Sequence, residues 1–341
     1  MALNETSSRY IVPHQRAKKY YNYHNEKFHG FFLNSIAMFC RSLYYRARSK
    51  KPIQQDWAIE YNHVSSLTPT ITWIGHSTFL IELDGITILT DPIFGNASLL
   101  FKRIFPPGIP LEKLKSIDYI LLSHNHRDHM DARSLLQLRH HNPQVMVPLG
   151  DKKWFDRRAF RLVQEKNWWE SSTFMHNGNA LKLTFLPAHH WSQRSVFDRN
   201  KSLWGSWMIE YKDYTIYFAG DTAYAAHFKK IKAAFSPIDI ALMPIGPCEP
   251  RKWMKEAHIS AEQAGEAFLE LGAKQFIPMH WGTFYFGIDA LHQPLEQLQT
   301  WWKEQKQVSK EQLQLLKIGQ RWQIDKECIA KAISKNIETI L

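Results

Sequence analysis

Four residues that can bind a metal ion stand close together in the chain, namely His124, His126, Asp128 and His129. The apolar run 119–122 precedes them, and residues 130–138 with helical spacing follow, so that we expect the last two at the start of a helix. Imidazole and carboxylate groups at this density favour zinc, iron or manganese. The absence of a nearby cysteine disfavours a closed structural zinc site. Because buried groups that can carry charge need partners, packing alone explains the cluster poorly. The segment therefore predicts a metal site at a strand end.

Three further candidate ligands, His190, Asp221 and His280, each follow an apolar run and precede turn residues. Loops beyond strand ends are where α/β proteins tend to build their sites. Taken singly, each is also compatible with a hydrogen-bonded core or turn residue, and that is our interpretation of His189. Together with the first cluster they supply enough ligands for two metal ions. The predicted metal residues are thus His124, His126, Asp128, His129, His190, Asp221 and His280.

The elements that must position these residues are strands alternating with helices, which predict one α/β domain over residues 70–325. Residues 79–90 form a hairpin pattern around Asp84-Gly85, and residues 207–218 repeat it. Each hairpin runs into an aspartate, Asp91 or Asp221, which suggests an internal duplication with two β-rich halves packed face to face. Further strands are predicted over 117–123, 144–148, 181–186, 238–243, 275–279 and 321–324, and helices over 130–138, 260–271 and 297–316.

The charge of the chain is basic and concentrated near its beginning. There are 43 Lys and Arg against 32 Asp and Glu, a formal net charge of +11, and residues 1–60 carry +6 of it (10 basic minus 4 acidic). This suits an anionic partner such as lipid headgroups or nucleic acid, and equally a solvated arm. Within this extension, residues 1–69, Phe32, Ile36, Phe39 and Leu43 have helical spacing. They predict an amphipathic helix, lying either on an anionic membrane or on the main body.

Three cysteines, Cys40, Cys248 and Cys328, show no paired spacing, which favours a reducing compartment. We see no signal peptide, and the longest apolar stretch, residues 31–40, is too short to span a bilayer as a helix. We therefore expect a cytoplasmic protein that associates with membranes peripherally. Residues 326–341 are expected to form a C-terminal tail.

The pattern His-x-His-x-Asp-His at residues 124–129 resembles the metallo-β-lactamase superfamily. The chain is similar, more narrowly, to the N-acylphosphatidylethanolamine-hydrolysing phospholipase D family over about residues 71–286. The similar segments are residues 72–78, 89–94, 168–170, 203–207, 218–222, 244–246, 249–251 and 279–284. The resemblance implies an αββα sandwich of two packed mixed β-sheets flanked by helices, with the metals at one edge.

The resemblance also implies roles for individual residues. One metal would lie on His124, His126 and His190, and the other on Asp128, His129 and His280, with Asp221 bridging both. Asp91 would orient a ligand imidazole from outside, and His258 would assist at the phosphate. The residues that we expect to take part in catalysis are therefore Asp128, Asp221 and His258.

The reaction implied is phospholipase D-type hydrolysis of N-acylphosphatidylethanolamine to N-acylethanolamine and phosphatidic acid. Two zinc ions, or iron or manganese instead, would activate a shared water for attack on the phosphodiester. A lactonase or a nuclease on the same fold is the alternative, followed by a non-catalytic metal-binding membrane protein. We expect no nucleic acid partner, because the basic excess lies at the front of the chain and no nucleic-acid module is recognisable. A homodimer is left open.

The segment 99–107 mixes bulky apolar and basic residues in a predicted loop. Such a loop suits insertion into an anionic lipid interface, which would give a lipid substrate an apolar approach to the metals. It equally suits a loop packed over the core, since bulky apolar residues are more often inside than outside. Phe101 is the residue that we expect to decide between the two.

Overall fold

A computed structural model of the chain describes residues 19–22, 57–60 and 68–326. The predicted amphipathic helix around residues 32–43, Cys40, Cys328 and residues 327–341 of the predicted tail lie outside these ranges. Among the described residues, no helix combines the length and the apolar character needed to cross a membrane.

Seven strands form the first sheet, in the order β13-β1-β2-β3-β4-β5-β6. Their bounds are β1 (Thr70–Gly75), β2 (Thr78–Leu83), β3 (Ile86–Thr90), β4 (Tyr119–Leu121), β5 (Gln144–Pro148), β6 (Leu162–Lys166) and β13 (Arg321–Gln323). Within the described residues the last strand, β13, therefore pairs with the first, β1, and forms one edge of this sheet.

Six strands form the second sheet, in the order β12-β11-β10-β9-β8-β7. Their bounds are β7 (Ser171–His176), β8 (Asn179–Leu186), β9 (Ser206–Tyr211), β10 (Tyr214–Phe218), β11 (Ile238–Pro244) and β12 (Ala273–Met279). In both sheets parallel and antiparallel pairs are mixed.

The two predicted hairpins are confirmed as β2–β3 and β9–β10, one in each sheet. Ile81 pairs with Ile88 in the first, and Ile209 pairs with Ile216 in the second. All four side chains are fully buried in one core cluster shared by the two sheets. Burial of these apolar faces against each other is the main source of the sandwich's stability.

Six helices accompany the sheets in the described residues: α1 (Ala132–Leu138), α2 (Lys152–Asp156), α3 (His227–Ala234), α4 (Arg251–Met254), α5 (Ala261–Leu271) and α6 (Gln293–Glu304). Helix α5 begins as predicted, with Ser260 and Gln263 in a reciprocal capping box, and it ends at Gly272 with φ +62°. Together the sheets and helices confirm the expected sandwich architecture.

Two helix predictions are wrong in their bounds. Helix α1 begins only after Asp131, whose carboxylate accepts the backbone N–H of Ser134, so Asp128 and His129 lie in a turn before the helix. The helix predicted over 297–316 ends at residue 304. Beyond it come a turn and a short 3-10 helix over residues 310–312. Leu313 then bridges to Phe276 of β12, and pairing with a strand is incompatible with a continuing helix.

Two short segments that precede the sheets in sequence pack on the domain. The N–H of Ile59 donates to Ile318 O at 2.9 Å, and the ring of Trp57 lies 5.2 Å from that of Trp281. Tyr20 is only 6% exposed and belongs to the main core. These residues of the predicted extension therefore contribute to the folded body.

Candidate metal centre

The predicted ligands lie in loops that begin where strands of both sheets end. His124 follows β4, whereas His190, Asp221 and His280 follow β8, β10 and β12. Strand β4 runs parallel to β3, and β10, β11 and β12 run parallel to one another. Because the carboxyl ends of parallel strands meet at one edge of a sheet, these loops converge where the two sheets face each other.

One group of candidate ligand atoms contains His124, His126, His190 and Asp221, all within 4.8 Å of one another. His124 Nε2 lies 2.8 Å from His126 Nδ1, and His190 Nε2 lies 3.3 Å from the same atom. Asp221 Oδ2 is 3.9 Å from His124 Nε2 and 3.7 Å from His190 Nε2. This arrangement of three imidazoles and one carboxylate has the donor types and number that zinc binds.

A second group contains His76, Asp128, His129 and His280 within the same limit. Asp128 Oδ2 lies 3.1 Å from His76 Nε2 and 3.4 Å from His129 Nε2. Asp221 reaches this group as well, since Oδ1 is 3.1 Å from His280 Nε2 and Oδ2 is 3.2 Å from His129 Nε2. Its carboxylate therefore stands between the two groups, as a bridging ligand would.

Asp91 orients His129 directly, and His124 through Ser123, from outside the two ligand groups. Its carboxylate accepts the N–H of Ser123 at 2.8 Å, the hydroxyl of Ser123 at 2.5 Å and His129 Nδ1–H at 2.7 Å. Since the Ser123 hydroxyl is used as a donor there, it accepts from His124 Nδ1 at 2.8 Å. Both histidines therefore present Nε2 to the cluster, and this is the atom that would bind a metal ion.

His190 presents its Nε2 in the same way through a different partner. Its Nδ1–H donates to the backbone oxygen of Ala257 at 2.8 Å, so its Nε2 lone pair points towards Asp221. Outer partners of this kind orient ligating imidazoles and raise their basicity.

Burial keeps most of these imidazoles neutral. It lowers the pKa of His190 and His258 to about 3 and that of His126 to about 4. The pKa of His124 is also lowered well below its usual value, first by burial and then by the neighbouring His129. Neutral imidazole is the form that binds a metal ion.

The two carboxylates are ionised and His129 carries the compensating proton. Burial alone would raise the pKa of Asp128 and Asp221, but the charge of His129 outweighs it and holds both well below their usual range. Burial likewise opposes protonation of His129, but Asp221 and Asp128 raise its pKa well above the usual value. A cation in the cluster would take over the role of this proton, which would be released on binding.

Among the described residues, the buried atoms of the candidate ligands that lack a hydrogen-bond partner include His129 Nε2, His280 Nε2 and Asp221 Oδ1. Buried polar atoms in proteins are almost always paired, and leaving one unpaired costs about 1–3 kcal/mol. A cation coordinated by these atoms would satisfy several of them at once. The residues present therefore fit a metal centre, although their individual roles as ligands stay predictions.

Backbone strain also concentrates here. His76, Asp91 and His280 all have positive φ angles, of 57°, 33° and 61°, in the left-handed region that disfavours side chains with a Cβ. The N–H of His280 donates to His76 O at 3.2 Å, and the N–H of His76 donates to Thr283 Oγ1 at 2.7 Å. Strain of this kind persists where surrounding structure enforces it, which is common at functional sites.

A cavity of about 220 Å³ opens onto the cluster. Its polar floor consists of His126, Asp128, Asp221, His258 and His280. His258 stands at the side, with its Nδ1 3.9 Å from Asp221 Oδ2. His258, which the resemblance implies would assist at the phosphate, therefore lies in the cavity beside the candidate metal ligands.

The sequence interpretation missed His76 and took His189 to be a hydrogen-bonded core or turn residue. His76 was noted only within the similar segment 72–78, yet it is 1% exposed and its ring centre lies 4.0 Å from that of His280. The feature of the sequence that could have identified His76 is its position directly after a strand, which it shares with the other candidates. His189 lies outside the two groups, and its N–H donates to Thr222 Oγ1 at 2.9 Å.

Comparison with known proteins places this geometry in a family. A family model described as beta-lactamase superfamily domain matches residues 87–281. A Caenorhabditis elegans protein, N-acyl-phosphatidylethanolamine-hydrolyzing phospholipase D 1, is 37% identical over 70% of this chain and 70% of its own length. The mitochondrial protein of the same description from Saccharomyces cerevisiae is 34% identical over 71% of this chain, which spans 53% of that relative.

Among solved structures, Igni18, a metallo hydrolase from the archaeon Ignicoccus hospitalis, superposes with a TM-score of 0.58. At 21% identity it covers 76% of this chain and 99% of its own, and this likeness concerns the fold. Fold, family model and relatives agree with the histidine and aspartate clusters, which support a metal cofactor. The chain therefore belongs to the metallo-β-lactamase superfamily, as a hydrolase related to the N-acylphosphatidylethanolamine-hydrolysing phospholipases D.

Proposed function

We propose that the chain is a dinuclear zinc phosphodiesterase that hydrolyses N-acylphosphatidylethanolamine to phosphatidic acid and N-acylethanolamine. The observation that carries this proposal is the position of Asp221, whose two carboxylate oxygens reach both four-residue ligand groups. Two ions bridged in this way are typical of sites that hydrolyse phosphoesters. The named relatives support the substrate class.

In this proposal His124, His126 and His190 would hold one ion, Asp128, His129 and His280 would hold the other, and Asp221 would contact both. Such ions would supply positive charge to the phosphoryl oxygens and would lower the pKa of a bound water. Water adds to phosphorus while the bond to the N-acylethanolamine oxygen breaks, and that oxygen takes up a proton. His258 is neutral at pH 7 and donates an N–H to the phosphate from the side of the cavity.

The walls of the cavity support a substrate with apolar chains. Above the polar floor they consist of Phe101, Trp191, Trp253, Met254 and Phe286. The rings of Phe101 and Phe286 lie 5.1 Å apart, and Trp191 faces His126 with ring centres at 4.2 Å. A small lactone would leave much of this apolar surface without a partner.

Two loops that supply these walls also carry exposed apolar tips. Leu99 is 91% exposed and Leu100 is 52% exposed, next to Phe101. Val196 is 72% and Phe197 is 82% exposed, in the loop that begins at Trp191. The exposed Lys102 and the lysines around Trp253 add positive charge near the same walls. We propose that these loops enter an anionic membrane surface, so that the lipid reaches the cavity without crossing water.

This docking predicts a separation of binding from chemistry. The double variant Leu99→Asp with Leu100→Asp should lose most of its binding to vesicles containing phosphatidylserine, since two buried carboxylates at an anionic interface are strongly unfavourable. Hydrolysis of a water-soluble phosphodiester should be unchanged. Cosedimentation with vesicles and a chromogenic assay measure the two properties.

Met175→Asp is the matched control for docking, because Met175 is 66% exposed but lies on β7, the far edge strand of the second sheet. It should bind vesicles like the unmodified protein. If the double variant bound vesicles as well as the unmodified protein does, the loop tips would not be the docking surface.

The substrate itself is tested by offering N-acylphosphatidylethanolamine in mixed micelles and following phosphatidic acid. Release of phosphatidic acid together with N-acylethanolamine is the expected result. Turnover of lactones or of nucleic acid in its place, with no lipid product, would retain the hydrolase and refute the lipid assignment.

A further inference from the structure

Asn22, which precedes the sheets by almost fifty residues, reaches the backbone of a candidate metal ligand. Its Nδ2 donates to the backbone oxygen of His190 at 3.1 Å, and its Oδ1 accepts the N–H of His190 at 3.2 Å. The Asn22 side chain is buried, with 8% of the residue exposed. One side-chain amide thus pairs with both backbone groups of His190, as a neighbouring strand would.

This pairing matters because His190 has no sheet partner. Strand β8 ends at Leu186, and His190 lies in the irregular loop beyond it. His190 is fully buried, and the described residues offer no other hydrogen bond to its backbone N–H and C=O. Without Asn22 these two groups would be unpaired, and the loop would gain freedom where Nε2 must point into the cluster.

Asn22 is itself held in place from two directions. Its Oδ1 also accepts Trp204 Nε1–H at 3.0 Å, and Trp204 is 1% exposed. Two residues earlier, the N–H of Tyr20 donates to Asn200 O at 2.8 Å, and the Tyr20 ring enters the main core. The segment 19–22 is therefore anchored to the same loop region, residues 188–204, that contains His190.

We infer that Asn22 is a positioning residue for metal binding: it fixes the backbone of His190, while Ala257 O fixes the ring of the same histidine. Backbone and ring are then both determined, and Nε2 is aimed at the group formed with His124, His126 and Asp221. This inference rests on the proposed metal function. It makes residues 19–22, which lie before the family domain, part of the site's support.

The test compares zinc binding by the full-length chain and by Asn22→Ala. Removal of an outer partner typically weakens metal affinity about 10- to 100-fold, and we expect a loss in this range by competition with a chromogenic chelator. Zinc raises the melting temperature according to its affinity, so the zinc-induced increase should also shrink in the variant. Lys19→Ala, an exposed side chain of the same segment, is the control and should behave like the unmodified chain.

A second variant guards against misfolding. Asn22→Ser removes the paired donor and acceptor of the side-chain amide without adding a charge, so it should fold and still bind zinc more weakly. A lower melting temperature of the metal-free variants with unchanged zinc affinity would overturn the inference, because it would mean a purely structural role. Absence of zinc binding by the unmodified chain would instead refute the proposed function.

Discussion

Asp221→Ala should abolish hydrolysis and reduce the metal content below that of the unmodified chain. The Asp221 carboxylate approaches candidate ligands of both groups, at 3.1–3.9 Å from four imidazoles. Removing it takes a ligand from each ion, so the loss of metal affinity should exceed the roughly 10- to 100-fold effect of an outer partner. Metal analysis and phosphodiester turnover on the same preparation measure both effects.

The control for this substitution is Asp213→Ala. Asp213 is exposed in the turn before β10, at the opposite end of the strand that leads to Asp221. It should retain the metal content and the activity of the unmodified chain. Full activity of a folded Asp221→Ala protein with normal metal content would mean that the bridging role is wrong.

Asp91→Asn should weaken metal binding although Asp91 contacts no ion in our account. The carboxylate accepts His129 Nδ1–H, and this bond leaves Nε2 of His129 free to bind. An amide oriented to keep the Ser123 N–H bond would present an NH2 group to His129 Nδ1, which favours the tautomer with Nε2 protonated. We expect about a 10- to 100-fold loss of metal affinity and, from one unpaired buried group, a loss of about 1–3 kcal/mol of stability.

Asp118→Asn is the matched control for Asp91→Asn. Asp118 accepts the backbone N–H and the hydroxyl of Thr87, each at 2.8 Å, at the start of β4 and far from the cluster. It should lose some stability and no metal affinity. The outcome that would contradict our account is equal metal affinity in Asp91→Asn and the unmodified chain, measured by chelator competition at the same pH.

The sequence predicted the parts of the site that follow a strong local pattern. The cluster at residues 124–129 combines four donors with a buried strand, and the residues after β8, β10 and β12 combine an apolar run with a turn. His76 satisfies the same rule after β1, but a lone histidine is most often a core residue, and nothing local distinguished it. Its place among the candidate ligands is apparent only from the tertiary contact with Asp128.

Elements whose sequence signal is weak escaped prediction. Strands β6 and β7 each lie at one edge of their sheet, and none of their residues is buried. The hydrophobic pattern that identifies a strand depends on burial, which these two strands lack. The helix predicted through residue 316 failed for a different reason, since the pairing of Leu313 with Phe276 of β12 overrides local helical preference.

Asn22 illustrates a third limit. Nothing in the sequence around it indicates a role, because its two hydrogen bonds join residues separated by 168 positions. Contacts of that range are decided by the whole fold, and only the three-dimensional structure reveals them.

The most direct test of the central claim is the metal content of the purified chain, measured together with phosphodiester hydrolysis before and after chelation. The account predicts about two ions per chain, as a dinuclear site requires, loss of hydrolysis when they are removed, and recovery when zinc is restored. A folded chain that binds no metal after reconstitution, or that hydrolyses its substrate equally well without metal, would contradict it.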